Sequence, residues 1–169
     1  MLRSRLAALA AGTLLLAGGF LSPAAATAAS RVHASPPLVK SQNPARKTVT
    51  LFVEAQANGA NSGFNFNGLA KGQGGVTVPL GWEVTVEFLN HGAMPHSAVV
   101  TRSDTSVTPA FKSSGMADAL AGIGQGKRSH FAFRATRAGR FYIVCAVPGH
   151  EPAGMWVRLT VSSTAKRAQ

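Results

Sequence analysis

The feature that most constrains this chain is a series of short runs with a two-residue period, each cut off by glycine or proline. In residues 82–89, Val84, Val86 and Phe88 alternate with Glu83, Thr85 and Glu87. In residues 129–136, Phe131 and Phe133 alternate with His130, Ala132 and Arg134. Successive side chains of a strand point to opposite faces, so such runs make half-buried strands, whereas a helix would scatter the same residues around its axis. Residues 48–55, 75–80, 96–102, 139–147 and 155–162 are further runs rich in β-branched or aromatic residues. Only residues 114–120 have the makings of a short helix, and nearby glycines limit it. About seven to eight strands separated by turn signals predict an all-β domain, an antiparallel sandwich or barrel.

The ends of the chain read differently. Arg3 and Arg5 precede an apolar stretch over residues 6–21 and small residues up to Ala28. This is the pattern of a secretory signal over residues 1–28, and the stretch is short for a membrane span. An uncleaved leader would instead associate the protein with a membrane. Residues 29–47, with Pro36, Pro37 and Pro44 among polar residues, read as a Pro-rich linker. Residues 48–162 form the expected domain, and residues 163–169 a flexible tail.

Six carboxylates face seventeen Lys and Arg, but eight of those cations lie in the leader, linker and tail. The domain itself is only mildly basic. It lacks the dense basic patch interleaved with aromatics of a nucleic-acid binder, which argues against nucleic acid as a partner. Basic surface toward an acidic protein or an anionic membrane is the modest expectation. Gly72, Gly74 and Gly75 make no phosphate loop, since no Gly-Lys-Ser/Thr follows them.

The chain has one cysteine, so no internal disulfide can form. Cys145 opens the most informative segment, C-x4-H-x4-M, in which Cys145, His150 and Met155 share a loop with two prolines and two glycines. A stiff loop of this kind can aim three side chains at one point. With a second histidine they form a trigonal His2Cys set with a weak axial Met, the ligand set of a type 1 blue-copper site. His96 enters from a distant run after the turn Asn90-His91-Gly92-Ala93-Met94-Pro95 and is the second histidine of choice. His91, inside that turn, is its competitor. Met94 and Met116 read as gap fillers, and His130 as an exposed residue on a strand.

With this loop, Phe64-Asn65-Phe66-Asn67-Gly68 completes a combination that resembles the cupredoxin family, in its sulfocyanin and rusticyanin branch. The resemblance covers residues 48–162. It implies a Greek-key β-sandwich with copper near one end and the edge of His150 facing solvent. An apolar rim of Met94, Pro148, Gly149, Pro152 and Ala153 would surround that edge. Ser97 stands where many cupredoxins carry Asn, and the resemblance to rusticyanin-like members implies a comparatively high reduction potential.

The function expected is one-electron shuttling outside the cytoplasmic membrane by a monomer. The expected partners are redox proteins such as a cytochrome or a terminal oxidase. Four ligands leave no position for substrate, so catalysis at the metal is not expected. A cysteine hydrolase would need an orienting Asn or Asp that the sequence does not place, and Met is a poor ligand for zinc. The competing reading is a copper carrier or storage protein at the cell surface or in the periplasm.

Overall fold

The computed structural model describes residues 37–169; the expected leader and His33 lie outside the described residues. Among the described residues, eight strands form two four-stranded sheets. The first contains β1 (Val39–Asn43), β2 (Thr48–Ala55), β4 (Glu83–Asn90) and β6 (Arg128–Arg134), in the order β1-β2-β4-β6. The second contains β3 (Gly75–Pro79), β8 (Trp156–Ser162), β7 (Gly139–Val144) and β5 (Val99–Thr101), in the order β3-β8-β7-β5.

The alternation read from the sequence sets the faces. Val84, Val86 and Phe88 are buried while Glu83 is exposed, and on β6 Phe131 and Phe133 are buried while His130 is exposed. Inward residues of both sheets meet in one core, where Phe111 packs against Phe133 of the first sheet and Phe141 of the second. This is how a sandwich buries two one-sided sheets.

Two expectations need correction. The sheets are mixed, not antiparallel throughout: β2 pairs with β4, and β3 with β8, in parallel. The domain also exceeds residues 48–162. β1 lies within the expected linker and pairs with β2 as an edge strand. At the other end, Gln169 exchanges two backbone hydrogen bonds with Thr77, and Gln42 bonds both ways with the backbone of Ala168. The tail is thereby fastened to both sheets. Residues 114–120 form turns instead of a helix, and Met116 N–H donates to the carbonyl of Ala98 beside β5.

The register places the loops of interest together. Val99 of β5 pairs with Val144 of β7, and Val144 pairs with Trp156 of β8. The entry to β5, the exit of β7 and the entry to β8 therefore share one end of the second sheet. His96, Cys145 and Met155 sit at those three points.

Candidate metal centre

Cys145 follows the last residue of β7 and Met155 precedes the first of β8, so the two strands hold their ends in register. Cys145 N–H donates to the carbonyl of Met155 (3.1 Å), and Met155 N–H donates to the carbonyl of His150 (3.0 Å). Inside the loop, His150 N–H donates to Val147 and Gly154 N–H to Glu151. Gly149 and Gly154 turn the chain at φ of 88° and 92°, backbone that side-chain-bearing residues seldom adopt. The short loop is thus locked by its own backbone.

His96 is brought in by a different device. Asn90, fully buried at the end of β4, donates through Nδ2 to the carbonyls of Met94 and Ile123 and accepts Gly92 N–H at Oδ1. His96 and Ile123 then exchange two backbone hydrogen bonds. Asn90 shapes the turn that the sequence shows only as a loop. Two of its three partners lie within four residues, but the third, Ile123, is 33 residues on, so the local pattern reveals only part of the device.

The ligating atoms of His96, Cys145 and His150 all lie within 4.8 Å of one another. The Nδ1 atoms of the two histidines are 3.1 Å apart, and Cys145 Sγ lies 3.4 Å from Nδ1 of His150 and 3.9 Å from Nδ1 of His96. A point equidistant from the three atoms lies about 2.0 Å from each, the length of a bond from a transition metal to an imidazole nitrogen and about 0.3 Å inside that to a thiolate sulfur. Met155 is fully buried, with its backbone bonded to both loop ligands.

Electrostatics agree with this reading. Burial, with His150 beside it, lowers the pKa of His96 to about 4, and burial also lowers that of His150. Both imidazoles are therefore neutral near pH 7, with a lone pair free for a metal. Burial raises the pKa of the Cys145 thiol, against the opposing pull of N–H groups from Ser97 and Val147 and of the Ser97 hydroxyl. A thiol so placed stays protonated until a cation replaces its proton. Two neutral imidazoles, one thiol awaiting a cation and one thioether suit copper.

The other sequence candidates fall elsewhere. His91 is half exposed and pairs through Nε2 with the carboxylate of Glu54, so it is not drawn into the cluster. Met116 accepts Ala98 N–H at its sulfur, in the core. Phe64 sets its ring edge-on to His150, with centroids 5.0 Å apart. The asparagines around it fix that position: Asn65 bonds to Asn58, Ala60 and Gly68, and Asn67 to Glu54 and Phe52. Asn61 joins this loop to the ligand loop, donating to the carbonyls of Phe64 and Ala153.

A two-sheet β-sandwich that gathers His96, Cys145 and His150 at one end, with Met155 buried in the same loop, has the make-up of a cupredoxin, the class of blue-copper proteins. The chain belongs to the sulfocyanin family: the Sulfocyanin (SoxE) domain matches residues 38–167. Sulfocyanin from Sulfolobus acidocaldarius is 29% identical over 129 residues, covering 69% of this chain and 65% of the relative. The match thus spans just under two thirds of that relative. Among solved structures, dithionite-reduced auracyanin from Roseiflexus castenholzii superposes with a TM-score of 0.50 at 21% identity, covering 67% of this chain and 96% of its own. A multi-copper oxidase from Pseudomonas thermotolerans gives a TM-score of 0.50 at 15% identity, covering 68% of this chain and 29% of its own. These two similarities concern the fold alone.

Proposed function

We propose that this protein is an exported, monomeric carrier of single electrons, holding one type 1 copper through His96, Cys145, His150 and Met155. The observation that carries the reading is the meeting of three metal-binding side chains within 4.8 Å in a buried pocket. Copper bound there supplies a one-electron couple between Cu(I) and Cu(II). The chain's part is to keep the donors in one arrangement for both states, and the backbone bonds of the ligand loop together with Asn90 do so. Four donors leave no open position for a substrate.

His96, Cys145 and Met155 are fully buried, whereas His150 keeps 7% exposure. His150 is therefore the electron's way in and out. Met94, Pro148, Gly149 and Pro152 are exposed and Ala153 half-buried around the two histidine-bearing loops. This rim suits brief docking to a redox protein such as a cytochrome or terminal oxidase, with the basic surface steering an acidic partner. Export is supported by the leader pattern of residues 1–28 and by a lone cysteine with a metal to occupy it.

Redox cycling in the presence of a copper(I) chelator tests the reading against copper carriage. Repeated reduction and reoxidation should return the full colour with copper retained. Loss of copper to the chelator at the first reduction would make the protein a copper carrier.

A further inference from the structure

The ring of His96 has a second polar atom that the cluster leaves unused. Its Nδ1 faces Cys145 and His150, while its Nε2 is buried and, among the described residues, has no hydrogen-bond partner. An imidazole that gives the Nδ1 lone pair to a metal carries its proton on Nε2. This is then a buried N–H donor, a group costly to leave unpaired, and metal-bound histidines ordinarily anchor it.

The acceptor at hand is the side-chain amide of Gln56, which follows the last residue of β2. A Cβ built on Gly92 would overlap Gln56 Oε1 and lie 2.8 Å from His96 Nε2, so both atoms face the same small space. Gly92 is outside the left-handed region, so room, not backbone conformation, is what calls for glycine there. At the amide carbon, a Cβ on Gly63, a glycine also required by its φ of 90°, would lie 3.0 Å from Gln56 Cδ. Two glycines thus clear a slot for one amide. The backbone of Gln56, at φ 52°, is held by its N–H donating to the carbonyl of Asn65 (3.0 Å). The segment Phe64-Asn65-Phe66-Asn67-Gly68 therefore sets Phe64 against one histidine and Gln56 toward the other.

We propose that Gln56 is the positioning residue of His96: its amide oxygen accepts the Nε2–H, directly or through one ordered water, and holds the ring in the tautomer that presents Nδ1 to copper. This rests on the ligation proposed above. Terminal amide torsions are soft, so the amide can turn to the donor within its slot, and a single water can bridge polar groups in such a space.

The test is proton NMR of the full-length copper(I) protein, which is diamagnetic, following the Nε2–H proton of His96. In the wild type this proton should exchange slowly with solvent. Gln56→Leu should move it upfield and speed its exchange by about tenfold or more, and Gly92→Ala, by displacing the amide, should do the same. Gln56→Glu keeps an acceptor, so the proton should stay slow and move downfield. An unchanged shift and exchange rate in a folded Gln56→Leu protein that is still blue when oxidised would overturn the proposal. Should Gln56→Leu not fold, an unchanged resonance in Gln56→Glu would overturn it equally. Absence of blue colour in the wild type would instead refute the copper ligation.

Discussion

Ser97 grips Cys145 from two directions: its backbone N–H donates to Cys145 Sγ (3.4 Å), and its hydroxyl lies 3.8 Å from the same sulfur. That hydroxyl oxygen also accepts Ala146 N–H (3.0 Å), fully buried like its partners. Ser97 therefore ties the entry to β5, where His96 sits, to the exit of β7, where Cys145 sits, and it reduces the electron density the sulfur can offer a metal.

Ser97→Ala removes the hydroxyl but not the backbone N–H. It leaves Ala146 N–H buried without an acceptor, which should cost about 1–3 kcal/mol of stability, read as a lower denaturation midpoint. The copper protein should stay blue, because the sulfur and its backbone donor remain.

His91 and His96 lie five residues apart, yet only one joins the cluster. His91→Ala should leave the visible spectrum of the copper protein unchanged, because His91 is half exposed and pairs with Glu54 outside the cluster. His96→Ala should abolish the blue spectrum. The opposite pattern would reassign the ligand.

Met155→Leu conserves volume in a buried position and so should fold. It removes a thioether donor while leaving the three stronger ligands. Copper and colour should persist, and the reduction potential, measured by spectroelectrochemical titration, should rise, since the oxidised ion loses more from a missing donor.

The metal-free protein should lose stability in acid. The pKa of His96 falls from 6.5 to about 4 on folding, so the unfolded chain binds the extra proton between those values. Stability from this group is fully present above pH 6.5 and is lost as the pH falls through about 4, by at most about 3 kcal/mol. Denaturation curves between pH 7 and pH 4 read the loss. Copper, by occupying Nδ1, should carry the stability further into acid.

Much of this was legible from the chain. The two-residue period gave the core faces of β4 and β6 because each has one face buried and one solvated. It could not distinguish parallel from antiparallel neighbours, since alternation is the same in both, and so the pairings of β2 with β4 and β3 with β8 were hidden. β1, Val-Lys-Ser-Gln-Asn, is a polar edge strand with no buried face to give it a period. The proposed ligands Cys145, His150 and Met155 stood out because one short loop carries all three. Asn90 did not, because its bond to the carbonyl of Ile123 joins residues 33 apart, and Gln56 did not, because its amide approaches His96 from another strand's end.

The most direct test of a type 1 copper centre at these residues is the visible and EPR spectrum of the purified protein after addition of Cu(II), with Cys145→Ser beside it. The account predicts an intense thiolate-to-copper band with narrow copper hyperfine splitting, bleached reversibly by ascorbate and absent from Cys145→Ser. A wild-type protein that is colourless, or shows only the weak bands of ordinary tetragonal copper, would contradict it.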